Sequence, residues 1–372
     1  MTTNTELYIG LMSGTSVDAV DAALVAFNEA DSKPNFLALY SHPIPENLKK
    51  NLLACNQQNT LSLDTFCQLQ VSTGRLFSET VQQLLKQESL QARDIKAIGS
   101  HGQTIFHAPG IGMSLQIGHP AIIAKQTGIT TVADCRIDDM ALGGQGAPFA
   151  PAFHQSLFSE PYQNSVAVNV GGIANISLIP AGDSQEALLG FDTGPGNCLI
   201  DEACQRFFNQ PYDVNGKLAE SGKVHRELLK KLLTDDYFKY PAPKSTGRDK
   251  FNWQWLNQFE IDTIEPSHLL ATLTELTAIT IAEAISTKKD YSTGNIWVCG
   301  GGAYNQYLMQ RLQTHLPNAN VQSSSKKKIN PVATEGMLFA WLAKQRLEHR
   351  PVNLKDVTGA TRNAILGGVW QP

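Results

Sequence analysis

Residues 9–21 read IGLMSGTSVDAVD. An apolar strand runs into Gly-Thr-Ser and leaves through two carboxylates, Asp18 and Asp21. Gly14 lets the chain turn with its amides exposed. Thr15 and Ser16 add hydroxyl donors, and such a turn can cradle a phosphate through backbone N–H groups. Asp18 and Asp21 could hold Mg²⁺ through oxygen or through water. An ordinary hairpin with a polar turn has the same composition, and this short stretch taken alone favours that plainer reading. The Walker pattern GxxxxGK[ST] is absent. Around the turn, residues 7–12, 19–27 and 35–43 are apolar and rich in strand formers, so three strands are expected.

The second half of the chain repeats the arrangement. SVAVNVGG (165–172) is an apolar strand ending in glycines, followed by the strand IANISLIP, then EALLGFDTGPGN, then a helical pattern from Cys198 to Phe208. IKAIGSHGQTIFH (95–107) and NIWVCGGGAYNQYLMQRL (295–312) match each other as strands entering Gly-rich loops. A tandem duplication of one α/β unit accounts for all four segments. It places the four loops at strand ends, where ligands of α/β folds gather. The boundary is expected near residue 160, in the polar FSEPYQNS, giving units 1–160 and 161–372. Residues 215–234 and 267–287 read as amphipathic helices of the second unit.

Bulk properties agree with a two-unit globular chain. At 372 residues it exceeds the size of a single growing core, and 42% hydrophobic content is ample for two. The net charge of −4 gives no reason to expect nucleic acid or an anionic membrane as partner. No run of eighteen apolar residues occurs, and MTTNTELY has no basic or apolar leader, so a soluble cytoplasmic protein is expected. The six cysteines show no CxxC spacing and read as ordinary thiols.

GLMSGTSVDAVDAAL, IGSHGQTIFH, SLQIGHPAIIA, VADCRIDDMALGGQGAPFAPAFH, VNVGGIANISL, GFDTGPGN, PKSTGRDKFN, VCGGGAYN, TEGMLFAWLA and DVTGA occur in this order from residue 9 to residue 360. Together the set resembles the anhydro-N-acetylmuramic acid kinases, of the sugar-kinase, Hsp70 and actin superfamily. One departure is visible: Ala19 stands where that family's first loop has glycine, which matters if the position needs a positive φ.

The resemblance implies an α/β fold of two duplicated ribonuclease-H-like domains with a central ATP cleft. It implies a reaction in which water attacks C1 of 1,6-anhydro-N-acetylmuramic acid, the 1,6 bridge opens, and O6 takes the γ-phosphoryl of ATP. The product is N-acetylmuramic acid 6-phosphate, in peptidoglycan recycling. ATP and Mg²⁺ are the implied cofactors, and a homodimer the implied state. ATP would be held by Gly14, Thr15, Ser16, Val17, Asp18, Ala19, Val20 and Asp21, by Gly171, Gly172, Gly194, Gly196 and Asn197, and by Gly300, Gly301, Gly302 and Asn305. Mg²⁺ would sit by Asp18 and Asp21, largely through waters. A tight strand-to-helix turn would equally require the GGG.

The resemblance gives Asp192 the role of base for the water. By residue type alone an Asx cap at a turn is as good an account. The lactyl carboxylate of the sugar calls for a cation, and Arg136 is the leading candidate. His101, Gln103 and Thr104 offer donors to the sugar, and Glu335 an acceptor. Plainer roles exist: Arg136 in an ion pair with Asp134 or Asp138, Glu335 at a helix start, His101 in the core. Asp134, Asp138 and Asp139 read as a solvated loop rather than a metal cluster. Residues 243–252 read as a loop near the cleft with an open role. A plain sugar kinase would keep Asp192 as base toward a hydroxyl. A chaperone-like ATP module would bind ATP without turnover on a sugar. A Rossmann dehydrogenase is disfavoured, because GxGxxG does not follow the first strand.

Overall fold

The structure is a computed structural model that describes residues 5–14, 16–28, 33–57 and 60–372. In chain order its strands are β1 (Thr5–Met12), β2 (Ala19–Asn28), β3 (Pro34–Pro43), β4 (Ile95–Ser100), β5 (Gln103–Ala108), β6 (Met113–Ile117), β7 (Thr131–Ala133), β8 (Ser165–Val170), β9 (Ile173–Ile179), β10 (Leu189–Pro195), β11 (Asn295–Cys299), β12 (Asn320–Ser323) and β13 (Gly368–Trp370). The chain divides into two compact units, Met1–Phe153 with Ala333–Pro372, and His154–Val332.

In the first unit the sheet order is β13-β7-β4-β1-β2-β3. β1 pairs antiparallel with β2, β2 antiparallel with β3, and β1 parallel with β4. Because successive side chains point to opposite faces, Ile9 and Leu11 share one face. They pack there with Leu69, Leu76, Phe77, Val81 and Leu84 of the helix Leu63–Gln87. Ser62 caps that helix, accepting from the Thr65 amide at 3.1 Å.

Gly10 faces the other way, toward the helix Thr334–Leu347. A Cβ on Gly10 would stand 1.8 Å from the Gly336 carbonyl oxygen, and one on Gly99 would stand 1.9 Å from that of Phe339. The backbone of this late helix therefore lies directly on β1 and β4, an approach only glycine permits. Farther on, Asp138 accepts the Gly367 amide at 2.7 Å and β13 closes on β7. These contacts correct the expected division: residues 333–372 belong with the first unit, not with the second.

The second unit has the sheet order β10-β9-β8-β11-β12. Its pairings run antiparallel, antiparallel, parallel, parallel. The run β3-β2-β1-β4-β7 has the same sequence of pairings. The duplication inferred from the Gly loops is thus a duplication of topology, two ribonuclease-H-like sheets. The helix Pro266–Ser286 is the central helix of this unit. It is long and apolar enough to cross a membrane, yet most of its length is buried inside the unit. Its Glu275 is held bidentately by Arg311, at 2.6 and 2.9 Å, and by His315 at 2.9 Å.

Two local expectations change. Residues 215–234 are not one helix but Lys217–Ser221 and Arg226–Leu232, broken at Gly222, where the backbone meets Ser267. The aspartates 134–139 do not form a solvated loop. They flank and join the helix Cys135–Ala141, and Asp139 is buried, accepting from the Gly146 amide and the Thr358 hydroxyl.

Candidate functional site

Each unit carries a group of polar residues at its strand ends. In the first unit the turn after β1 is closed by the Val17 amide donating to the Gly14 carbonyl at 3.2 Å. Thr15 lies outside the described residues. Val17 is buried with φ of 54°, a conformation costly for a β-branched residue. Ala19 does not have a positive φ. It opens β2 in register with Pro43, so its methyl fits where the family has glycine. Ser16 and Asp18 are exposed, and Val20 is core. Asp18 pairs with Lys49 at 2.7 Å. Asp21 accepts from the Ser41 hydroxyl, and burial raises its pKa above the usual carboxylate range.

Gln103 was expected at the sugar. Its side chain is buried beneath the loop, accepting from the Ser13 hydroxyl at 2.6 Å and donating to the Gly14 carbonyl at 3.3 Å. It braces the turn. Thr104 accepts from Gln116 at 3.1 Å. Arg136 donates through Nε to His101 at 3.0 Å and through Nη1 to the Gly146 carbonyl at 2.9 Å. Among the described residues Arg136 makes no ion pair with Asp134 or Asp138, and Nη2 makes no hydrogen bond. The Arg136 charge acts on Glu335, in the first turn of Thr334–Leu347. Glu335 is exposed to solvent, yet partial desolvation by the surrounding protein raises its pKa, Asp21 raises it further, and Arg136 opposes both. Arg136, Asp21 and Glu335 thus share one electrostatic neighbourhood.

In the second unit Asp192 sits within β10, at a shift in register between Asp192 and Gly194. Its Oδ2 accepts from the Ser245 hydroxyl at 2.9 Å and the Thr246 amide at 3.0 Å. Its own amide donates to the Lys244 carbonyl at 3.0 Å, and its carbonyl accepts from the Tyr237 hydroxyl at 2.7 Å. Burial raises its pKa, and the two donors moderate the rise. The carboxyl is therefore held from outside its own turn, which rules out the Asx-cap account. The segment 243–252 supplies the holders, Ser245 and Thr246.

The glycine turns of this unit interlock. The amides of Gly196 and Asn197 donate to the carbonyls of Gly172 and Gly171, at 2.9 and 2.8 Å. Gly194 lies against the Phe238 ring. A Cβ on Gly172 would come within 2.7 Å of the Arg248 guanidinium, so the absent side chain makes room for a cation.

Beyond this turn lies a cavity of about 440 Å³, lined among others by Asn197, Asp201, Tyr212, Gly301, Tyr304 and Asn305. The size suits a nucleoside, and such sites combine apolar walls with a few polar groups. Tyr212 and Tyr304 are exposed along it. Burial pushes the Asp201 pKa up to about 6, against the nearby Arg248 charge. Asn305 caps the helix Gln306–His315, accepting from Leu308 at 2.9 Å. The three glycines divide their roles. Gly300 (φ 76°) and Gly302 press on Val170, whereas a Cβ on Gly301 would meet nothing closer than Asn197, at 3.7 Å.

Sequence reasoning missed Tyr237, Ser245 and Thr246 around Asp192, and Tyr212 and Tyr304 at the cavity. The hydroxyl pair in KSTGR was the one local signal for the first group; isolated tyrosines carry none. Among the described residues no cluster of three His, Cys, Asp or Glu is placed to hold a metal.

The family model described as anhydro-N-acetylmuramic acid kinase matches residues 6–372. A relative from Hydrogenovibrio crunogenus, named anhydro-N-acetylmuramic acid kinase, is 50% identical over 99% of this chain and 98% of its own. One of that name from Vibrio cholerae is 46% identical over 99% of both. Among solved structures, a ROK family glucokinase from Streptomyces griseus is similar with a TM-score of 0.43 and 13% identity, covering 91% of this chain and 99% of that one. With whole-chain relatives at this identity, the protein is a kinase, and the chain belongs to the anhydro-N-acetylmuramic acid kinase family.

Proposed function

We propose that this kinase opens the 1,6-anhydro ring of 1,6-anhydro-N-acetylmuramic acid and phosphorylates O6 at the expense of ATP. Asp192 takes a proton from water through Oδ1 as the water oxygen bonds C1. The C1–O6 bond breaks, O6 bonds the γ-phosphorus, and ADP leaves. No acid needs to protonate O6, since it receives the phosphoryl group. The observation that carries this reading is the Asp192 carboxyl: it is fixed through one oxygen, raised in pKa by burial, and set beside the glycine turn 194–197.

Arg136, with Nη2 unengaged among the described residues, is the proposed receptor for the lactyl carboxylate. His101, Thr104 and Glu335 border it as sugar contacts, while Gln103 acts through the loop it braces. The nucleoside is assigned to the cavity by Gly301 and Asn305, and its phosphates to the turns at Gly14–Asp21, Gly171–Gly172 and Gly194–Asn197. Mg²⁺ arrives with the nucleotide. Among the described residues Asp18, paired with Lys49, and Asp21, bonded to Ser41, have no third His, Cys, Asp or Glu clustered with them, and a hydrated Mg²⁺ held through its waters is the form of binding we assign to them. We also assign a cytoplasmic homodimer, as the family resemblance implies, and no nucleic-acid or anionic-membrane partner, for which the net charge of −4 gives no attraction. Sedimentation at micromolar concentration checks the dimer.

The deciding experiment is turnover with ATP, Mg²⁺ and the anhydro-sugar in ¹⁸O water, with free N-acetylmuramic acid in parallel and Asp192→Asn as control. The expected result is 6-phosphate product from the anhydro-sugar alone, ¹⁸O at C1, and loss of turnover in the variant. Equal turnover of the free sugar would leave a plain sugar kinase.

A further inference from the structure

The segment after the helix Asp236–Lys239 folds back on β10 and is tied down at several points. Lys244 Nζ donates to the carbonyls of Tyr237 and Phe238, at 2.9 and 3.2 Å, and lies over the Tyr237 ring at 4.7 Å. The Lys244 carbonyl takes the Asp192 amide, and the Tyr237 hydroxyl reaches the Asp192 carbonyl. The backbone of Asp192 is thereby fixed on both its polar groups. The next two residues, Ser245 and Thr246, converge on a single oxygen of the carboxylate, Oδ2. Oδ1 has no hydrogen bond among the described residues.

A carboxylate turns about its side-chain torsions with little hindrance. A base must present its oxygen within hydrogen-bond reach of the proton it removes, and a misplacement of about 1 Å costs catalysis heavily. Two donors on one oxygen remove that freedom and leave the second oxygen for the water. The Thr246 amide belongs to the backbone and would point at Oδ2 with any side chain at that position. The Ser245 hydroxyl is the only donor of the pair that the choice of side chain controls.

We propose that Ser245 is the positioning residue of the reaction: its hydroxyl, together with the Thr246 amide, holds Oδ2 of Asp192 so that Oδ1 alone meets the reacting water. The inference rests on the reading of Asp192 as the base. Tyr237 and Lys244 are the ionisable residues bonded to the Asp192 backbone, and Lys239 and Tyr240 line the adjacent hollow beside Phe191 and Thr193. Glu283, on the helix Pro266–Ser286, lines the same hollow as Lys244, on the Phe191–Thr193 side of the strand. Across the ladder Asp192 meets the neutral Asn175. Ser245 favours the ionised carboxylate by donating to it, so its removal moves the acid limb of the rate profile to higher pH.

The test is a set of pH–rate profiles with ATP, Mg²⁺ and the anhydro-sugar for the wild type, Ser245→Ala, Ser245→Thr, Ser245→Cys and Asp192→Asn. Ser245 is exposed, so its variants are expected to melt with the wild type. Ser245→Ala should lose roughly ten- to a hundred-fold in kcat, the scale of one hydrogen bond to a charged group. Its KM for ATP should hold, and its acid limb should move upward. Ser245→Thr should restore both rate and limb, and Ser245→Cys, a weak donor, should fall between. A wild-type acid limb in Ser245→Ala, or a rate that Ser245→Thr does not restore, overturns the positioning role. Full turnover by Asp192→Asn would instead overturn the base itself, whatever the serine variants do.

Discussion

Arg136 donates through Nε to Nε2 of His101 at 3.0 Å, so the imidazole is an acceptor and neutral. Burial, and then the Arg136 charge, hold the His101 pKa well below its ordinary value. The pair fixes the guanidinium plane, and Gly146 fixes its second nitrogen. Lysine cannot reproduce this fork. Arg136→Lys is expected to lower kcat/KM for 1,6-anhydro-N-acetylmuramic acid by roughly ten- to a hundred-fold, the value of a hydrogen bond to a charged group. The analogue without the lactyl group, 1,6-anhydro-N-acetylglucosamine, should lose little. Equal losses on the two sugars would remove Arg136 from carboxylate recognition.

The three glycines 300–302 should separate on substitution. Gly300→Ala and Gly302→Ala put a methyl within 2.6 and 2.5 Å of Val170 atoms. Each should cost about 1–3 kcal/mol of stability, read as a lower urea midpoint. Gly301→Ala should unfold like the wild type, because its methyl meets only the cavity. It should raise the KM for ATP by about ten-fold, or ~1.4 kcal/mol. An unchanged KM in Gly301→Ala would move the nucleoside out of this cavity.

His154 sets an acid limit on stability. It is buried with Nδ1 at 2.8 Å from the Ser177 hydroxyl, and burial pushes its pKa down to about 4 from 6.5. The unfolded chain binds this proton at a pH where the folded chain does not. The contribution is therefore complete above pH 6.5 and is lost as the pH falls toward 4. Between pH 6.5 and 5 the wild type should lose on the order of 2 kcal/mol through this residue. Urea unfolding of the wild type and His154→Gln at both values checks it: the variant, less stable at pH 7, should lose less on acidification. Parallel losses would assign the acid limit elsewhere.

Much of this protein is written in short-range patterns. The strand that enters Gly-Thr-Ser at residue 14 and the strand that enters Gly-Gly at residue 171 each obey local rules of alternation and turn chemistry. Both therefore appear in the sequence as strands, and their repetition as a duplication. The residue pattern alone fitted Asp192 to an Asx cap as well as to a base, and only the family resemblance chose the base; the residue itself, a carboxylate beside a glycine turn, was legible. Its holders were not. Ser245 and Thr246 are more than fifty positions away, and composition does not say which hydroxyl or amide the backbone will bring to a given oxygen.

The same limit explains the misplaced boundary and the reassigned glutamine. Residues 333–372 follow the second unit in the chain, yet Gly10, Gly99 and Gly336 let one helix backbone settle on β1 and β4. Gln103 has the composition of a sugar contact, but its amide lies beneath the first loop. The repeated strand-and-turn units and the residue types gathered at their ends depend on neighbours in the chain, and so they can be read along it. Which of those groups meet, and which unit the last helix completes, depends on packing between distant segments. Close approach and hydrogen bonding act between atoms brought together in space, whatever their separation along the chain.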